Sequence, residues 1–141
     1  MNLIRLSLAL LLLYFGLASS DTLSQSIDSK KVMLSLNRWA SAWSQQDIDR
    51  YIDAYAGNFR GLKNSRREWL NQRRNRILSA RSIDVKLSDI QLRSMSEDKA
   101  IVDFVQRFKS NRFSDRVKKR LTFRRIGKQW KIISERTLMR L

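Results

Sequence analysis

The stretch Trp39-Ala40-Ser41-Ala42-Trp43-Ser44, followed by Asp47-Ile48-Asp49-Arg50-Tyr51 and Tyr55-Ala56-Gly57-Asn58-Phe59, decides the architecture. Val32, Leu36, Trp39, Ala40 and Trp43 recur at a spacing that lines one helical face, which predicts a first helix over Ser29 to Ser44. Asp47 is a suitable N-cap for a second helix, in which Ile48, Tyr51, Ile52 and Tyr55 repeat the pattern as far as Ala56. Gly57 interrupts it, and Asn58 to Arg60 are expected to form a very short strand. Ser65-Arg66-Arg67-Glu68 is a capping box, in which hydroxyl and carboxylate satisfy each other's free amides. It opens a third helix that runs to Leu78, with Trp69, Leu70 and Ile77 as its apolar contribution.

After Ala80 the period changes to two. Ile83, Val85 and Leu87 alternate with polar neighbours, and then the phase slips to Ile90 and Leu92, which predicts a bulge near Ser88 and Asp89. Ala100, Val102, Phe104, Gln106 and Phe108 line one face of a second strand, and Val117, Lys119, Leu121 and Phe123 mark a third. Gly127-Lys128 makes a tight hairpin into a last strand with Trp130, Ile132 and Ser134 on one side. Helices first and an antiparallel meander second predict an α+β domain, three helices packed on one face of a curved sheet.

These motifs resemble the nuclear transport factor 2-like superfamily, above all the version appended to bacterial L,D-transpeptidase-type and cell-shape carboxypeptidase proteins. The resemblance rests on Trp39-x-x-Ala42-Trp43, on Asp47-x-Asp49-x-Tyr51-x-x-x-Tyr55, and on Ser65-Arg66-x-x-Trp69-x-x-x-Arg73-x-x-Arg76-Ile77. The ending Gly127-Lys128-Gln129-Trp130-Lys131-Ile132-Ile133-Ser134-Glu135 resembles the superfamily's final strand, whose Trp closes a cone. The resemblance covers Val32 to Arg136 and implies a cone-shaped domain, which in such relatives accompanies a catalytic or repeat domain acting on the cell wall. A stand-alone version is expected here. Because such cones host enzymes and inert modules alike, fold alone does not fix activity.

Outside the cone, residues 1–20 have the three-part pattern of a secretory signal peptide. Arg5 supplies the charge, Leu6 to Leu17 the apolar run, and Ala18-Ser19-Ser20 the small residues of a cleavage site. The run falls short of the ~20 residues a bilayer span needs, so cleavage after Ser20 and a periplasmic destination, with no transmembrane span left, are expected. Residues 21–28 read as a flexible polar lead-in, and 29–141 as the domain. The sequence contains no cysteine and no histidine, which removes the usual ligands of zinc, copper and haem, and no cofactor or metal is expected.

Charge is distributed unevenly. Residues 21–60 hold five basic and five acidic side chains, whereas 61–141 hold 23 basic against 8 acidic. Such asymmetry points to an anionic partner. By alternation, Arg107 and Lys109 leave the core side of the second strand, and Arg116, Lys118, Arg120 and Arg124 that of the third. Lys131 does the same on the fourth. These seven are the expected partner-binding field, with Arg66, Arg67 and Arg74 as a second patch. Arg73 and Arg76 share a helical face with Trp69, and the resemblance supports a structural role for both. The expected partners are an anionic envelope component or an acidic protein. Nucleic acid is weakly supported, since no aromatic side chains interleave that face to stack bases. A homodimer through the sheet would have to overcome repulsion across the field.

Trp39, Trp43, Tyr51, Tyr55, Trp69, Phe104 and Trp130 are expected to be core, with a residual cavity near the cone mouth. No catalytic residue is expected. An enzyme on this scaffold needs a general base inside the cone, and alternation places both Asp103 and Glu135 outside it, unless a bulge re-aims them. The expectation is therefore an exported non-catalytic binding module, and the alternative a small-ligand binder or isomerase-like enzyme using the cone interior.

Overall fold

A computed structural model describes the backbone from Arg5 and the side chains from Ser20 to Leu141. The expected signal segment, residues 1–20, thus lies outside the described side chains except for Ser20. Helix α1 (Arg5–Ser44) is continuous, so residues 21–28, expected to fray, are helical instead. No glycine or proline falls between Leu17 and Ser44 to stop the helix, and Ser29 and Lys31 bond back to Ser26 and Asp28. Among the described residues no helix is long and apolar enough to cross a membrane.

Helix α2 (Ile48–Asp53) is capped as expected by Asp47, whose carboxylate accepts the Arg50 amide at 3.1 Å. It ends before Ala56, and the short strand over 58–60 does not form. Instead Tyr55 makes one parallel bridge to Ile132, with the Ala56 amide donating to the Ile132 carbonyl and the Ile132 amide to that of Ala54. The sheet edge is thus used before the chain reaches Asn58. Arg66 donates to the carbonyls of Ala56 and Phe59 and holds the following residues as a turn. Helix α3 (Arg66–Leu78) starts from Ser65, which accepts the Glu68 amide; the Glu68 carboxylate returns to Asn64, one residue earlier than in the expected box.

Strands β1 (Ile83–Met95), β2 (Lys99–Ser110), β3 (Ser114–Ile126) and β4 (Gln129–Arg140) form an antiparallel meander in sequence order. The expected bulge in β1 is present: pairing shifts between Ser88 and Gln91, and Asp89 has φ 51°. The inner face carries Val102, Phe104, Leu121, Phe123 and Ile132, all fully buried against Leu36, Trp39 and Tyr51 of the helices. Each large apolar side chain so removed from water contributes about 1.5–3 kcal/mol.

A second irregularity matters more. Phe123 pairs with Ile132 but Thr122 pairs with Ser134, so Ile133 is an extra residue in β4. Beyond it the phase reverses. Ser134, expected inside with Trp130, stands outside opposite Thr122. Glu135, expected outside, stands opposite the fully buried Leu121 and points into the cone.

Candidate functional site: the mouth and floor of the cone

The bulge at Ile133 delivers a carboxylate to the cone floor. Glu135 Oε1 accepts from Lys119 Nζ at 2.6 Å, and Oε2 accepts from the Tyr55 hydroxyl at 2.7 Å. Tyr55 has one proton, and it goes to Glu135. Its oxygen therefore accepts from Trp39 Nε1 at 2.9 Å and from the Tyr51 hydroxyl at 2.9 Å. Lys119 also lies over the rings of Trp39 and Trp43, 5.7 and 5.4 Å from their centroids. The network is closed, with each buried polar atom assigned a partner.

Its charges are fixed as well. Burial by itself raises the Glu135 pKa, but the charges of Lys119 and Arg73 and the bonds from Lys119 and Tyr55 outweigh it, so the carboxyl stays below its ordinary range. Burial, with the Glu135 charge added, pushes the hydroxyls of Tyr51 and Tyr55 up. Neither tyrosine ionises near neutrality, and Glu135 is a poor proton acceptor.

Above this floor a cavity of about 710 Å³ opens between α3 and the ends of β2, β3 and β4. Trp43, Arg73, Gln106, Asp115, Lys119 and Arg140 are among its walls. Three buried polar atoms there have no hydrogen-bond partner: Arg73 Nε, Gln106 Oε1 and Asp115 Oδ1. Leaving such a group unsatisfied costs about 1–3 kcal/mol, a cost that water or a ligand entering the cavity would relieve. Together they offer a donor and two acceptors, one of them charged. Arg76 and Arg140, also on the walls, make the surroundings predominantly cationic.

Of the expected aromatic core, Trp39, Tyr51, Tyr55, Trp69, Phe104 and Trp130 are buried, and Trp43 is buried while also walling the cavity. Arg73 turns to the cavity and makes no ion pair among the described residues; Arg76 is exposed at the rim. The expected basic field is only partly free. Arg120 forms a two-toothed pair with Asp103, at 2.6 and 2.8 Å, and Lys131 reaches Asp53 at the end of α2. Asp103 thus lies on the outer face as expected, its carboxyl held down by the Arg120 hydrogen bond. Arg107 approaches Asp84 at 3.8 Å, while Lys109, Arg116, Lys118 and Arg124 are exposed and without an ion pair among the described residues. In the second patch Arg66 clamps carbonyls and covers Trp69, Arg74 leans towards Asp49 at 3.9 Å, and Arg67 is exposed.

Lys119, Gln106, Asp115 and Arg140 escaped notice as site residues. The signal was present for two of them: Gln106 and Lys119 are polar residues in phase with apolar core positions. Arg140 turns inward only because pairing shifts again between Lys118 and Lys119.

The family model for the Cds6 C-terminal NTF2-like domain matches residues 31–136. No curated protein matches the chain. Among solved structures, Bd1075 of Bdellovibrio bacteriovorus superposes with a TM-score of 0.71 at 24% identity, over 78% of this chain and 40% of its own. The helical cell shape determining protein Pgp2 of Campylobacter jejuni, as its K307A mutant, gives 0.66 at 18% identity, over 74% of this chain and 39% of its own. A candidate dehydratase of the NTF2-like family from Streptomyces avermitilis gives 0.67 at 18%, over 79% and 96%. These likenesses establish the fold. The chain thus corresponds to about two fifths of Bd1075 and Pgp2, and it belongs to the Cds6 C-terminal NTF2-like domain family.

Proposed function

We propose that this protein is a non-catalytic binding domain of the bacterial cell envelope that holds an anionic, amide-bearing segment of cell-wall polymer in its cone mouth. The observation that carries the reading is the set of three unpartnered buried atoms around one cavity, Arg73 Nε, Gln106 Oε1 and Asp115 Oδ1. A carboxylate would satisfy the guanidinium, and amide or ammonium protons would satisfy the two oxygens. Binding is favoured over chemistry because the deep carboxylate, Glu135, is already engaged by Lys119 and Tyr55. The envelope setting is supported by the signal-type pattern of residues 1–20 and by the likeness to a cell-shape protein. Such a module would serve wall-modifying enzymes by holding their substrate.

Calorimetry with soluble peptidoglycan fragments tests this. Saturable binding that Arg73→Met and Gln106→Leu each weaken at least tenfold is the expected result. No binding to the native protein would refute it. A second reading, an isomerase or dehydratase, has one specific support: Asp115 brings a carboxylate to the cavity wall. Turnover of a fragment, abolished by Asp115→Asn, would favour that reading.

A further inference from the structure

The outer face of the sheet is a separate feature. The helices pack on the inner side, and among the described residues no element covers the outer one. Cross-strand pairing sets its side chains in rows. Lys86, Arg107 and Arg116 stand side by side across β1, β2 and β3. In the next row Lys118 stands beside Met139, and in the one after that Arg120 stands beside Arg136. Like charges directly opposite one another destabilise a sheet. Asp103 offsets Arg120, and Asp84 lies near Lys86 and Arg107 at 3.7 and 3.8 Å. Arg116 and Lys118 make no close ion pair among the described residues, and Lys118 acts on Asp103 only at longer range.

Exposed apolar side chains occur at the same end of the sheet. The Leu141 amide donates to the Arg116 carbonyl at 2.9 Å, so the end of β4 lies against the start of β3. There Met139 is 57% exposed and Leu141 55%. Large apolar side chains next to unpaired cations suit a boundary with anionic headgroups on one side and acyl chains beneath. A soluble polyanion would use only the cations. Each basic side chain near such a surface contributes about 1 kcal/mol, and the contribution falls within a Debye length as salt rises.

We propose that this end of the outer sheet face, built on Arg116, Lys118, Met139 and Leu141, docks the protein on a bilayer that carries anionic lipid headgroups. Charge complementarity selects the lipid, and the apolar side chains enter the headgroup boundary. The proposal does not depend on what the cone mouth holds, because Arg116, Lys118, Met139 and Leu141 do not line that cavity.

Sedimentation of the protein with vesicles of phosphatidylglycerol and phosphatidylcholine, across a salt series, tests it. Retention on mixed vesicles, absent on phosphatidylcholine alone and falling with salt, is expected. Arg116→Ser with Lys118→Ser should weaken it about thirtyfold, following about 1 kcal/mol for each cation. Met139→Ser with Leu141→Ser should weaken it at least tenfold, as loss of buried apolar area requires. Circular dichroism would confirm that both exposed double variants fold. Lack of retention at low salt overturns the proposal. So does retention that duplex DNA competes away and that the Met139 and Leu141 changes leave untouched, because that describes a generic polyanion site.

Discussion

Glu135 and Lys119 meet at 2.6 Å on the cone floor because Ile133 is one residue too many for β4. Without that insertion the carboxylate would face solvent and the ammonium would be buried alone. Both side chains are 9% exposed, so each depends on the other.

Removing one partner therefore costs more than removing both. Glu135→Leu or Lys119→Met alone should destabilise the fold by about 3–5 kcal/mol, since each strands a buried charge. The double variant Lys119→Met, Glu135→Leu should recover most of that loss. Urea unfolding of the three variants gives the coupling energy directly. Additive effects would mean that the pair is not formed.

Stability should also depend on acidity through the same carboxyl. The Glu135 pKa is lower in the folded state than in the unfolded chain, where it is about 4.3. Its contribution is fully present above that unfolded value and is lost as pH falls through the folded one. Thermal unfolding from pH 6 down to pH 3 should give a falling Tm, with a shallower fall in Glu135→Gln. Asp103, held down by its bond from Arg120, titrates in the same direction and accounts for part of the remaining slope.

Tyr55 joins the floor together. Tyr55→Phe leaves Trp39 Nε1 and the Tyr51 hydroxyl without their acceptor and Glu135 without one donor. A loss of about 2–4 kcal/mol is expected, since several buried groups lose bonds worth about 1 kcal/mol or more each. Tyr51→Phe removes one bond at the edge of the network and should cost about 1 kcal/mol.

Gln46 carries a smaller effect that spacing does not reveal. It adopts φ 55° and donates both amide protons to the carbonyls of Ile77 and Ala80, each at 2.7 Å, closing the end of α3 onto the α1–α2 turn. Gln46→Ala should cost about 1–2 kcal/mol and Gln46→Gly somewhat less, because glycine accepts this backbone angle freely. Hydrogen exchange at the last turn of α3 would report the loosening.

What the chain discloses before folding follows from where its signals are local. Leu36, Trp39 and Trp43 repeat at helical spacing, as do Ile48, Tyr51 and Ile52, and Asp47 and Ser65 cap helices through bonds to residues three positions on, so helices and caps are legible. The bulge at Asp89 is legible too, because the apolar phase of β1 visibly slips. The bulge at Ile133 leaves no such trace: Ile132 and Ile133 are both apolar, and either could continue the inner face. That ambiguity hides Glu135. It also hides the site, since the cavity brings together Arg73 from α3, Gln106 from β2 and Asp115 from β3, whose proximity only the completed sheet creates.

The most direct test of the binding account is a two-dimensional NMR titration of the protein with soluble peptidoglycan fragments, with mass spectrometry of the recovered fragments. The account predicts saturable shifts centred on the Trp43 indole, the Gln106 side-chain amide and the Arg73 Nε resonance, and fragments recovered unchanged. Shifts confined to the outer sheet with the cavity resonances unmoved, or fragments returned chemically altered, would contradict it.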